Sequence, residues 1–151
     1  MGLSDNEKRI VLAIGQTMFP RDSVLSIDAD DAAVVAWVED YISTMPALPR
    51  GQLRALLNTF EYGYAAWSGH PRAAFTLARP AERAEYLESW ERASTYSQRM
   101  MYEALRAMFT FAYVDSEPVC EAIGSDRPAP VRAAGTTTRD TSGRAAGEAN
   151  K

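Results

Sequence analysis

The chain has 151 residues, 46% of them hydrophobic, a formal charge of −4 and one cysteine. That length supports a single domain with a true core that needs no metal or disulfide to close it, and one cysteine excludes an intramolecular disulfide framework. Up to Gly124 there are 11 Lys/Arg against 17 Asp/Glu, net −6, and an acidic body is wrong for gripping phosphate backbones, which argues against nucleic acid as a partner.

Ser4 followed three residues later by Glu7 is a capping box, and Ile10, Val11, Ile14 and Met18 continue as an apolar stripe. A first helix of about four turns is therefore expected, stopping at Phe19 because Pro20 disfavours helical geometry before it. Residues 21–31 read as a polar connection. Asp28, Asp30 and Glu39 fit the first, third and last places of a calcium loop, but Ala33 stands where the sharp-turn glycine is required and Ala32 offers no oxygen. The acidic run is read instead as the dipole-stabilised start of a second helix. That helix shows Val34, Val35, Val38, Tyr41, Ile42 and Met45 on one face and ends at Pro46 and Pro49.

Pro49 is expected to open a third helix with Leu53, Leu56, Leu57, Phe60 and Tyr64 inward and Arg50 and Arg54 outward. The next stretch, EYGYAAWSGHPRAAF, is punctuated by Gly63, Gly69 and Pro71 and reads as a loop with room for a short turn. Residues 79–124 then form a long helical run against which the earlier helices are expected to pack. Pro80 suits a first helical position, and Tyr86, Leu87, Trp90, Met101, Leu105, Met108, Phe109 and Ala112 recur at three- and four-residue steps. Ser94, Thr95, Tyr96 and Ser97 interrupt this stripe, predicting a kink or a break into two helices. Pro118 opens a short last helix and Gly124 closes it. The expected fold is all-α, a compact bundle of five to six amphipathic helices over 1–124, followed by a disordered tail over 125–151 that is almost free of large apolar residues.

Catalytic chemistry has little to stand on. His70, the only histidine, lies in the turn-forming SGHPR, and Cys120 reads as a small core residue. There is no CxxCH, no Cys/His zinc set, no GxGxxG cradle and no GxSxG elbow. A cofactor-free enzyme would rest on residues such as Tyr62, Asp115 or His70. The Met and aromatic positions also admit a helical module that binds a small apolar ligand, although their spacing is that of a core. No apolar run approaches the roughly 20 residues of a membrane span. The opening MGLSDNEKR has neither a basic-then-apolar leader nor a myristoylation serine or threonine, and no paired arginines occur, so a cytoplasmic location is expected.

Within AERAEYLESWERASTYSQRMMYEALRAMFTFAYVDSEPVCEAIG, the pair Glu82 and Arg83, the Leu87–x–x–Trp90 step with Ser94, the basic helix from Arg99 to Arg106, Ala112 and Tyr113 before Asp115, and the closing Ile123 and Gly124 form a pattern. It resembles the small helical subunit of gluconate 2-dehydrogenase-type enzymes, a domain also found ahead of some long-chain alcohol oxidases. The opening LSDNEKRIVLAIGQTMFP resembles that family's first helix. The resemblance implies a non-catalytic accessory subunit with no cofactor of its own. Its partner would be a large FAD-holding flavoprotein of the glucose-methanol-choline class that oxidises an alcohol, sugar or sterol hydroxyl. Exported relatives often carry a twin-arginine signal, which this sequence lacks, so a cytoplasmic complex is the expectation. Candidates for the partner interface are Tyr62, Tyr64, Trp67, His70, Arg99 and Tyr113.

Overall fold

Helix α1 (Asp5–Met18) starts where local chemistry predicts. Ser4 Oγ accepts the N–H of Glu7 at 3.3 Å and Glu7 Oε2 accepts the N–H of Ser4 at 2.8 Å, so two donors that a helix start leaves without partners are satisfied reciprocally. The structure, a computed structural model, describes residues 2–21 and 24–125, and the segment 126–151 with its expected disorder lies outside them. After α1 come α2 (Val34–Thr44), α3 (Ala47–Ser68), a 3-10 turn (Phe75–Leu77), α4 (Pro80–Glu91), α5 (Tyr96–Val114) and α6 (Glu117–Ala122), with no strand among the described residues. The fold is all-α, as the periodicities predict. No described helix is long and apolar enough to cross a membrane.

The hub of the bundle is α1, whereas the sequence pattern points to residues 79–124. Ile10, Val11 and Ile14 expose nothing, and α1 packs against α2, α3, α4 and the 3-10 turn. Gly15 permits this closeness: a Cβ there would lie 2.7 Å from the Ala29 Cβ and 3.6 Å from the Phe109 ring. The absent side chain lets the connecting segment and α5 close on α1.

A part-buried ion pair fastens α1 to α3. Arg54, expected on the outside, donates from Nε to Glu7 Oε1 at 2.6 Å and from Nη2 to Oε2 at 2.7 Å. Glu7 is 5% exposed, so its carboxylate leaves water only because a planar fork of donors replaces that water. Arg54, opposed in part by burial and helped by Ser4, lowers the Glu7 pKa to about 2.

Three further expectations are corrected. The acidic run before α2 is a turn clamp, not a helix start. Asp28 Oδ1 accepts the N–H groups of Asp30 and Asp31 at 2.9 Å, its Oδ2 pairs with Arg21 at 2.9 Å, and α2 is entered through Ala33 in left-handed geometry at φ 51°. Helix α3 begins two residues before Pro49 and runs through Gly63 to Ser68, with Gly69 as a left-handed cap at φ 73°. Gly63 therefore does not break the helix. A Cβ on it would sit 2.7 Å from the Tyr86 hydroxyl oxygen, so the glycine makes room for a buried tyrosine. In α5, Met101 is 41% exposed and Tyr102 takes the buried place beside Leu105, Met108, Phe109 and Ala112.

The interruption at 94–97 is a full break between α4 and α5, and Arg99 Nη1 binds the carbonyls of Ala93 and Ser94 there at 2.6 and 3.2 Å. Before it, between α4 and α3, Trp90 stacks on Phe60 at 4.2 Å while Tyr86 meets both rings edge-on. Gly124 ends the described helices with φ 68°.

Candidate partner interface

The buried face of α5 uses Tyr102, Leu105, Met108, Phe109, Ala112 and Tyr113. At about 100° per residue, the opposite face carries positions 96, 100, 104, 107, 111 and 114. These are Tyr96, Met100, Ala104, Ala107, Phe111 and Val114, all exposed and all apolar or aromatic. Tyr96 and Phe111 are about two-thirds exposed, at 68% and 66%. With Met100, Met101 and Val114 they amount to on the order of 500 Å² of apolar surface, a patch of the size that on a monomer marks a binding site. Arg99, Glu103 and Arg106 run along one margin, and Arg106 spans Glu91 at 3.3 Å and Glu103 at 3.7 Å.

Beside this stripe lies an open groove of roughly 580 Å³ between α3 and α5. Its floor and walls are Leu53, Ala55, Leu56, Met100, Met101 and Ala104, with Gln52 and Thr59 as the polar contributors. Leu48 and Tyr62, 74% and 68% exposed, share the α3 face that carries Gln52, Ala55 and Thr59 and extend the apolar surface at its two ends. Tyr62 thus joins this surface. Sequence reasoning missed the α5 members, although the four- and three-residue spacing of Tyr96, Met100, Ala104, Ala107, Phe111 and Val114 was there to be read. Attention to a single oily stripe hid the second.

The other predicted interface residues lie elsewhere. Tyr64, Trp67 and His70 come together on a second cleft, of about 540 Å³, walled by the α3 end, the 3-10 turn and the start of α4. Tyr64 is 4% exposed, and its hydroxyl donates to Glu82 Oε2 at 3.3 Å. Burial, then the Glu82 carboxylate, raises its pKa. The Trp67 ring lies tilted against Tyr64 and Tyr86, with centroids at 5.6 and 5.4 Å, and His70 is exposed after the Gly69 cap. Arg99 caps the α4 end as described. Tyr113 is buried against Phe19, ring on ring at 4.1 Å, and its hydroxyl donates to the Ile27 carbonyl at 2.6 Å. That side chain ties α5 to the connecting segment.

The residues weighed for catalysis are not assembled. His70 lines the Tyr64 cleft, Asp115 lines another beside Trp37, and Tyr62 lines neither. Asp115 accepts the Trp37 indole N–H at 2.9 Å. Cys120 is buried with Sγ toward the Val114 carbonyl at 3.2 Å. Among the described residues no group of three or more His, Cys, Asp or Glu is placed to hold a metal ion.

Comparison with protein families matches the chain to gluconate 2-dehydrogenase subunit 3 over residues 5–125. The chain belongs to the gluconate 2-dehydrogenase subunit 3 family. The match takes in α1 to α6 whole, so the groove, the α5 stripe and the Tyr64 cleft are all features of a subunit 3 family member. Comparisons with curated proteins and with solved structures find no match. Family membership makes this chain one subunit of a multi-subunit dehydrogenase assembly, and a subunit must carry at least one surface whose burial is left to another chain.

Proposed function

We propose that this chain is a non-catalytic accessory subunit that binds and steadies a large FAD-dependent oxidoreductase of the glucose-methanol-choline class, acting on an alcohol, sugar or sterol hydroxyl. The flavin and the redox chemistry belong to that partner, and this chain supplies a rigid helical surface. The observation that carries the reading is the second apolar stripe of α5, because Tyr96 and Phe111 point away from the core of the lone chain. Large exposed apolar groups arranged at helical spacing fit the anchors of a protein interface better than isolated surface residues do.

The test is co-expression with a GxGxxG flavoprotein encoded beside this chain. Affinity purification through this subunit should bring down a yellow complex, and Phe111→Asp should release it. A flavoprotein fully stable and active without this chain, and never retained by it, would refute the reading. A second reading, an apolar small-molecule binder, draws on the Leu53, Leu56, Met100 and Met101 lining of the groove. It predicts a bound apolar compound after extraction of the purified chain and no effect of Phe111→Asp on that compound, since Phe111 lies outside the groove lining.

A further inference from the structure

A further cleft, roughly 240 Å³, opens where α1, the 3-10 turn and α4 meet, away from both the α5 stripe and the α3–α5 groove. Arg9, Gln16, Thr76 and Arg83 contribute its polar groups, Leu12 and Leu77 its apolar rims, and no carboxylate lines it. In a body of net charge −6, a cleft holding two guanidiniums and no acid is an unusual place.

Arg83 is the telling residue. Among the described residues its Nε is buried without a hydrogen-bond partner, and its Nη1 makes one long contact, 3.4 Å, to the Ala13 carbonyl. Arg50, whose Nε is also buried and unpaired, differs because its Nη2 caps α2 through the Met45 carbonyl at 2.6 Å. Burial with no balancing anion lowers the Arg83 pKa. Several carboxylates on neighbouring elements are engaged elsewhere: Glu7 by Arg54, Glu61 by the Thr76 N–H and hydroxyl at 3.0 and 2.7 Å, Glu82 by Arg79, Glu88 by Arg92 and Glu91 by Arg106, while Asp5 and Glu85 are not among the residues that line the cleft. Among the described residues Arg9 reaches only Asn6 Oδ1, at 3.3 Å. A guanidinium whose Nε is withdrawn from water and left without an acceptor is costly unless an anion arrives to use its fork of donors.

We propose that this cleft binds an oxyanion, a carboxylate or phosphate group, with Arg83 as the principal donor and Arg9 as the second cation. Its volume of about 240 Å³ has room for such a group. The group comes from a free solute or from an acidic side chain of the partner subunit. The second source rests on the accessory-subunit reading, and the first does not.

The Nε–H of Arg83 reports on the site in a nitrogen–proton correlation spectrum of the full chain. Acetate and inorganic phosphate are titrated at constant ionic strength, with chloride as control. Expected for a free-solute site is a saturable shift of the Arg83 signal while the Arg50 and Arg79 signals stay still, with affinity at least about tenfold weaker in Arg9→Gln. Arg83→Gln should abolish the response, its fold being checked by circular dichroism. If neither solute acts on the free chain, the partner source predicts that Arg83→Gln weakens retention of the co-purified flavoprotein at least tenfold, that Arg83→Lys weakens it less, and that salt weakens the wild-type complex but not Arg83→Gln. A response to chloride equal to that for acetate and phosphate would overturn the proposal, as would silence in both the free chain and the complex. Because the titrations need no partner, their outcome is independent of whether the accessory reading stands.

Discussion

Replacing Phe111 separates what α5 does for its own fold from what it does for another chain. The ring is 66% exposed, which for a phenylalanine leaves on the order of 130 Å² open to water. At about 25 cal/mol per Å², complete burial by a partner would be worth about 3 kcal/mol, and loss of the ring would weaken the complex by roughly two orders of magnitude. Phe111→Ala should cost the isolated chain less than about 0.5 kcal/mol, because the side chain lies on the face opposite Phe109 and Ala112 and alanine favours the helix. The assay is paired: thermal melting of the free subunit, and calorimetric or pull-down affinity for the co-expressed flavoprotein. An unchanged melt with affinity reduced about 100-fold is the expected result. If affinity for a demonstrated partner changes less than about threefold, the stripe is not the interface. If the free chain melts markedly lower, Phe111 is doing packing work that its exposure denies.

Trp90→Ala should cost about 3 to 5 kcal/mol in the free chain, since it empties the space against Phe60 and Tyr86, and a melt near wild type would show that this face is not core. Glu7 has its pKa depressed from 4.5 to about 2 in the folded state. Its contribution, on the order of 2 to 3 kcal/mol, is therefore complete above about pH 5 and is lost as pH falls toward 2. The gap in stability between wild type and Glu7→Gln should shrink over that interval, and a gap constant with pH would refute the assignment. Gly63→Ala should destabilise by about 1 to 3 kcal/mol despite the gain in helix propensity, because the new methyl meets a tyrosine hydroxyl held in the core, and a more stable variant would show that Tyr86 yields freely.

The parts of the fold legible in the sequence are those set by near neighbours along the chain. Ser4 and Glu7, Pro80, the 94–97 cluster, Pro118 and Gly124 mark element ends by bonds or steric effects acting within about one helical turn, and the structure follows them. What was illegible depends on contacts between distant residues. Gly63 looks like a breaker until Tyr86, 23 positions later, is seen to occupy the space above it. Arg54 looks like a solvent residue until Glu7, 47 positions earlier, meets it. The acidic run at Asp28, Asp30 and Asp31 had two local uses, helix start or turn, and the turn won because Asp28 binds the backbone of its own successors as well as Arg21. Of the six interface residues named from the sequence, three share the Tyr64 cleft and one, Tyr62, extends the α5 surface.

The composition of the α5 outer face is hard to derive from folding alone. The helix packs on α2, α4 and α6 through its inner face, and among the described residues the outer positions Tyr96, Ala107, Phe111 and Val114 stay exposed. Lysine or glutamate there would serve the isolated helix at least as well, having higher helix propensity than tyrosine or phenylalanine and keeping the surface wet. Instead, Tyr96 and Met100 stand on one side of Ala104 and Ala107 and Phe111 on the other. Bulky groups flanking a run of methyls leave a low saddle across the middle of the helix, a shape into which another helix or strand fits with its own large side chains between the two rings. The isolated subunit gains nothing from that relief and is exposed to self-association by it. The cost is removed when a second surface covers the saddle, so the free chain should associate at high concentration in a way that Phe111→Asp suppresses. Sedimentation at rising concentration measures this, and a wild-type chain that stays monomeric at millimolar concentration would show that the stripe is too weakly apolar to anchor anything.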